Sequence, residues 1–262
     1  MSRQKVLADR EQVVAKSNTL IRKARYELTT QQQKLVLFAI SKIKPDDDSE
    51  TVYSFNVKDF ADACGIKIRD GGSYFQRIRD DMLKLTERSL QIFPDGSGMT
   101  ISWIGDFRFP KGSSLIEYWF NPNIKQYLFA LREHYTQYPV QNVLVFGRSN
   151  SIRLYEILRS YTTRDALDFG IEKDVEIALS DLKAQLGIKT YDKWSEFNRC
   201  ILRPAVDEIN ERADDIHIEY EPLHGEHTRS ITKINFIITR ARGNQQYKAR
   251  RSRKRELDGL PY

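Results

Sequence analysis

Residues 59–77 and 181–199 are one segment written twice. Laid over one another they share Asp59/Asp181, Gly65/Gly187, Ile66/Ile188, Lys67/Lys189, Asp70/Asp192, Ser73/Ser195, Phe75/Phe197 and Arg77/Arg199, eight of 19 ungapped positions. A duplication of this kind restricts the chain to two copies of one small architecture. With 262 residues there is room for both, since domains usually run ~100–200 residues.

The flanking patterns say what each copy is. Thr30-Gln31-Gln32-Gln33 has the form of a capping box, and Leu35, Val36, Ala39, Ile40 and Ile43 follow at helical spacing until Pro45 and the Asp46-Asp47-Asp48 run. Val52-Tyr53-Ser54-Phe55 alternates like a strand, and Asn56 caps a helix through Ala63 that Gly65 closes. Ser73-Tyr74-Phe75-Gln76 is a second box, opening a helix with the stripe Phe75, Ile78, Met82 and Leu85. Leu90–Phe93, Met99–Phe109 and Leu115–Phe120 then predict strands of a hairpin or small meander, and residues 121–136 a helix with Pro122 near its start.

From Ser149 the order begins again. Leu154, Ile157, Leu158 and Tyr161 mark a helix before the repeated segment, and Ile216–Glu221, Pro222–Thr228 and Arg229–Thr239 mark a hairpin after it. Each half therefore reads helix, helix, turn, helix, hairpin, which is the winged-helix variant of helix-turn-helix. The repeated residues fit its needs. A Gly takes the left-handed conformation past a short helix, an Ile packs under the turn, and a Ser opens the next helix. The expected fold is α+β, mainly helical, with a first domain over 1–136, a second over 137–242 and a basic tail over 243–262 that its composition leaves disordered.

On a helical projection of residues 192–212, Trp194, Phe197, Ile201, Ala205 and Ile209 share one face, opposite Lys193, Glu196, Arg199 and Arg203. The bases occupy the first turns and Asp207, Glu208 and Glu211 the end, a polarity suited to a recognition helix entering a major groove by its N-terminus. Pro204 predicts a kink. The candidate DNA contacts are Lys189, Lys193, Ser195, Asn198, Arg199 and Arg203, with Arg229 in the second wing. The first half offers Ser73, Arg77, Arg79 and Lys84, diluted by Asp80 and Asp81, and is expected to bind more weakly.

Charge narrows this further. Residues 240–262 hold eight basic side chains against two acidic ones, so the whole net charge of +6 lies there and residues 1–239 sum to zero. A DNA surface on the folded part is therefore a local arrangement, while the tail is an electrostatic footprint in its own right. The chain has no apolar run near the ~18–20 residues of a membrane span, and Met1–Gln12 carries no apolar stretch of a secretion signal, which predicts a cytoplasmic protein with no membrane partner. Cys64 and Cys200 make no disulfide framework and are expected to be reduced and buried.

Enzymatic readings find little. A DNA-nicking initiator would need two histidines one residue apart beside a nucleophilic tyrosine, and none of His134, His217, His224 and His227 has that spacing. His224-Gly225-Glu226-His227 reads as the tip of the second wing, with Thr228 and Arg229 available to phosphate. There is no P-loop, dinucleotide fingerprint or Ser/His/Asp order, so no catalytic residue, metal site or cofactor is expected.

Val13-Val14-Ala15-Lys16-Ser17-Asn18-Thr19-Leu20-Ile21, Tyr26, Leu28-Thr29, Gln32-Gln33-Lys34 and Ala39-Ile40-Ser41 resemble the opening motif of iteron-binding plasmid replication initiators. Phe197, Arg199, Leu202, Pro204-Ala205 and Glu208-Ile209-Asn210 resemble that family's second recognition helix, so the likeness covers roughly residues 13–240. It implies a protein that binds directly repeated origin sequences as a monomer and recruits host initiator, helicase or chaperone proteins. As a dimer in equilibrium with the monomer, it would repress its own promoter. Lys193 and Arg199 match the family's two base-reading positions. Lys193 stands where Arg is more usual, and an ammonium lacks the fork of a bidentate guanine contact. The competing reading is a tandem winged-helix transcriptional repressor without a replication role. A protein-interaction module would not need the basic recognition face.

Overall fold

The computed structural model describes residues 12–44, 47, 50–69, 71–93, 98–226 and 229–241. The first unit opens with β1 (Val13–Ser17), α1 (Asn18–Lys23) and β2 (Ala24–Arg25), followed by α2 (Thr30–Ile40). Ser17 caps α1 by accepting from the Leu20 N–H at 3.1 Å. The capping box of α2 begins at Thr29, one residue before the expected Thr30. Thr29 Oγ1 accepts from Gln32 N–H, while the Gln32 side chain accepts from Thr29 N–H. The sequence allowed either threonine, and the buried Gln33 amide settles the register by donating to the Leu28 carbonyl.

Next come β3 (Tyr53–Asn56), α3 (Val57–Ala63) and α4 (Gly71–Glu87). Asn56 caps α3 as expected, and Gly65 sits at φ +70° beyond it. α4 already starts at Gly71, so Ser73 lies inside the helix and is not its cap. The strands that follow, β4 (Ser89–Ile92), β5 (Met99–Ser102), β6 (Ile104–Arg108) and β7 (Leu115–Phe120), do not form one meander. The expected strand over 99–109 breaks at Trp103, whose buried indole marks the passage from a β2-β4-β5 sheet to a β3-β7-β6 sheet.

Residues 121–136 do not form the expected helix. Only α5 (Pro122–Lys125) is helical. A turn with Ala130 and His134 at positive φ leads to β8 (Tyr135–Pro139), antiparallel to β1. Burial of Thr136 and Tyr138 on alternate positions favours this pairing over local helix propensity. The expected domain boundary at 136/137 falls inside β8.

The second unit comprises α6 (Gln141–Leu144), α7 (Ser149–Arg159), α8 (Arg164–Asp168), β9 (Lys173–Ala178), α9 (Leu179–Leu186) and α10 (Trp194–Phe197). A π-helical turn (Asn198–Leu202) joins α10 to α11 (Arg203–Arg212), before β10 (Ile216–His224) and β11 (Ile231–Arg240). Its sheet order, β10-β11-β9, repeats β6-β7-β3 strand for strand, so the duplication extends to the entire wing. β9 adds a strand to those expected from the sequence, with Val175 and Ile177 alternating with polar neighbours and buried. The eleven strands among the described residues make "mainly helical" an overstatement of the α+β fold.

α7 belongs to both units. Every residue from Ser151 to Ser160 is buried, polar ones included. Arg153 donates to the Ile21 and Ala24 carbonyls at the end of α1 (2.6 and 3.0 Å) and to the Gln185 carbonyl at the end of α9 (3.1 Å). One guanidinium thus satisfies orphan carbonyls of helices from both halves. Glu156 pairs with Lys16 of β1 at 2.7 Å and accepts from the Tyr138 hydroxyl, all of them buried. Desolvation lowers the Lys16 ammonium's pKa despite this pairing. Arg159 pairs with Asp215 at 3.0 Å, holding α7 to the connection between α11 and β10.

Candidate nucleic-acid interface

The second recognition helix runs from α10 to α11 without a break in the chain's course. Phe197, Ile201, Leu202, Ala205, Val206 and Ile209 are buried, while Lys193, Ser195, Glu196, Arg199, Arg203, Asp207 and Glu211 are exposed. The kink expected from Pro204 takes the form of the π turn just before it. Proline has no N–H to offer the Cys200 carbonyl, and the preceding Arg203 N–H reaches back five residues to the Asn198 carbonyl. Ser195 does not open the helix. Lys193 occupies the cap position with no side-chain cap bond, and the Lys193 carbonyl receives the N–H groups of Glu196 and Phe197.

Lys193, Arg199 and Arg203 have no ion-pair partner among the described residues, so their charge faces solvent. Asn198 is less free, because its Oδ1 accepts from the Tyr220 hydroxyl at 2.6 Å and ties the helix to β10. Lys189 projects from the turn before the helix and pairs with Glu27 at 2.6 Å. This contact holds the Glu27 carboxyl below its usual range. Glu208 is not part of an exposed acidic end. It is buried, accepting from Gly147 N–H (2.7 Å) and Arg148 N–H (3.2 Å) with Arg212 nearby, and so anchors α11 to the chain entering α7.

In the second wing, the Gly225 N–H donates to the Ser230 carbonyl, and His224 Nδ1 lies 2.9 Å from the Arg229 carbonyl, leaving the Arg229 side chain exposed. Residues 227 and 228, and with Thr228 one expected phosphate contact, lie outside the described residues, as does the basic tail from 242 on.

α4 presents Ser73, Arg77, Arg79 and Lys84 at the surface. Arg77 lies over the Tyr74 ring and Arg79 over the Phe109 ring at the end of β6, 5.5 and 4.8 Å from the ring centroids. Only one of the two expected diluting acids is exposed. Asp80 takes the Gln76 amide at 2.8 Å, whereas Asp81 is buried and accepts from Gln31 and Gln32 of α2. Asp81, Glu208, Arg153 and Glu156 are the functional supports that sequence reasoning missed. A signal existed for one pair: Lys16 sits in phase with Val14 on the buried face of β1, which demands an acidic partner.

The cysteines are both free, but Cys200 is exposed beside Arg199 and Cys64 is half-buried, with burial pushing its thiol up to about 11. Their expected burial is thus corrected for Cys200. Among the described residues no group of three or more His, Cys, Asp or Glu side chains converges as a metal site would require. Nor is any helix there long and apolar enough to cross a membrane.

Comparison with known proteins matches this geometry. The family model described as initiator replication protein, winged helix 1, matches residues 13–159, and its winged-helix-2 counterpart matches residues 178–238. A replication initiation protein of Escherichia coli is 24% identical over 205 residues, 76% of this chain. The chain spans 62% of that relative's length. Among solved structures, the Pi initiator protein in complex with iteron DNA superposes with a TM-score of 0.70 at 15% identity, covering 88% of this chain and 98% of that one. Domains 2 and 3 of RctB superpose with a TM-score of 0.50 at 14% identity, covering 82% of this chain and 85% of that one. Both structural likenesses are likenesses of fold.

Proposed function

The chain belongs to the initiator replication protein family, and on that membership we propose that it binds directly repeated duplex sequences at a replication origin and nucleates the assembly that starts replication there. The observation that carries this reading is the row of unpaired cations, Lys193, Arg199 and Arg203, along the exposed face of a recognition helix whose other face is core. Guanidinium and ammonium groups held this way reach base edges and phosphates without first breaking an ion pair. The family is one of initiator proteins rather than enzymes, and the chemistry is recognition.

In this reading the second unit is the main reader, through Lys193, Ser195, Arg199 and Arg203, with Lys189 and Arg229 at its flanks. The first unit adds Arg77, Arg79 and Lys84. Asn198 serves chiefly to seat the helix on β10. The finer roles that go with this reading are recruitment of host initiator, helicase or chaperone proteins, and repression of the chain's own promoter by a dimer. Both would take place in the cytoplasm of a bacterial host carrying the replicon.

The test is binding of the intact chain to the DNA flanking its coding sequence. Tandem repeats of about two helical turns should be protected there, each by one copy, with a loss of affinity on raising salt. A single inverted repeat bound only by a dimer would support a repressor instead, and no sequence preference would defeat both.

A further inference from the structure

Three times among the described residues a helix ends in the same pair, glycine then isoleucine. Gly65-Ile66, Gly170-Ile171 and Gly187-Ile188 each place the glycine at φ of 70–72°. In each, the isoleucine N–H reaches back five residues, to Ala61, Ala166 and Lys183 carbonyls at 2.8, 2.8 and 2.9 Å. In this Schellman closure the residue after the glycine ordinarily packs back on the helix it ends. Ile66 and Ile188 obey, packing against the core. Ile171 is 55% exposed, and Phe169 beside it is 83% exposed, the most exposed large hydrophobic side chain described. The backbone holding them is as fully bonded as in the other two copies, so α8 presents an ordered apolar knob. Asp165 and Glu172, exposed and without ion pairs among the described residues, flank it, and the exposed Lys173 next to Glu172 offsets part of their charge.

The same chain carries a receptor of opposite character. A cleft of about 810 Å³ lies where the two units meet, floored by Tyr26 and Ile188 and rimmed by Arg25, Arg88, Lys183 and Lys189. Glu27, already paired to Lys189, and Glu87 also reach it and leave the rim net cationic. An aromatic and a branched aliphatic side chain with acidic flanks complement an apolar floor with a basic rim in both shape and charge.

We propose that the Phe169–Ile171 knob of one copy docks in the Tyr26–Ile188 cleft of a second copy. Made once between each pair of neighbours, this contact is head-to-tail and leaves a free knob at one end and a free cleft at the other. On directly repeated sites, all copies point the same way, so each offers its knob to its neighbour's cleft and binding becomes cooperative. That consequence rests on the proposed function; the contact itself does not.

The experiment replaces Phe169 with the photo-crosslinking residue p-benzoylphenylalanine in the intact purified chain, without DNA. Irradiation should give covalent dimers whose adducts map to the peptides holding Tyr26, Arg88 or Ile188. Arg88→Glu with Lys189→Glu should cut their yield about fivefold to tenfold, while Phe169→Ser leaves affinity for a single-repeat duplex unchanged. Absence of dimers, adducts mapping to residues 165–172 of the second copy, an undiminished yield in the charge-reversed variant, or adducts formed only with added host lysate would each overturn the proposal. If the DNA reading fails, sequence preference disappears while these adducts persist.

Discussion

Each of the two recognition helices turns one carboxylate inward, but toward different things. In α4, Asp81 takes two glutamine side chains of α2. In α11, Glu208 takes two backbone N–H groups just ahead of α7. The outward cations differ more. Arg77 and Arg79 lie over aromatic rings of their own unit, whereas Lys193, Arg199 and Arg203 make neither a ring contact nor an ion pair among the described residues. A guanidinium held over a ring keeps its N–H donors free but has fewer positions from which to reach a base, so one scaffold yields a more restrained reader in the first unit and a freer one in the second.

The largest effect should come from what the two units share. Lys16→Met leaves the buried Glu156 with only the Tyr138 hydroxyl and the more distant Arg153 guanidinium at 4.0 Å, and losing one partner of a buried pair costs about 3–5 kcal/mol. Calorimetry should show a lower melting temperature with one transition still, because α7 is core to both units. Two separated transitions would mean that the units fold independently.

Next in size are the inward carboxylates. Glu208→Gln and Asp81→Asn keep the shape but lose charge-assisted bonds, and each should lose about 1.5–3 kcal/mol in chemical denaturation. If Asp81→Asn proved silent, α4 would be held by its apolar stripe alone.

Arg199→Ala should leave stability within about 0.5 kcal/mol of the parent while costing about 1–3 kcal/mol of specific binding and relaxing preference at one base pair. Arg79→Ala should cost less specific binding than Arg199→Ala, with some loss of stability from the Phe109 stacking. Equal losses in titrations of both variants would erase the distinction between the units.

The smallest effect on specificity belongs to the tail. Removing residues 244–262 should weaken all sequences alike and flatten the salt dependence by about 0.9 for each phosphate that the tail neutralises. An unchanged slope would assign these charges to solubility.

Local chemistry made the architecture legible. The Gly-Ile closures, the Asn56 cap and the stripe through Phe197, Ile201 and Ile209 act within one or two helical turns, so residue order alone determines them. Exposed cations were legible too, because a helix that buries one face must turn Lys193, Arg199 and Arg203 outward. What the sequence left undetermined depends on partners far along the chain. Tyr135, Thr136 and Tyr138 favour a strand locally, but its partner β1 lies more than a hundred residues away and residues 121–136 read locally as helix. Asp81 and Glu208 look like surface acids until α2 and the Gly147-Arg148 backbone arrive to bond them. Arg153 and Glu156 look like an ordinary pair on a solvated helix face. Only the packing of the first unit over α7 removes that face from water, and a charge that has lost its water must be answered by another charge or a carbonyl wherever the fold supplies one.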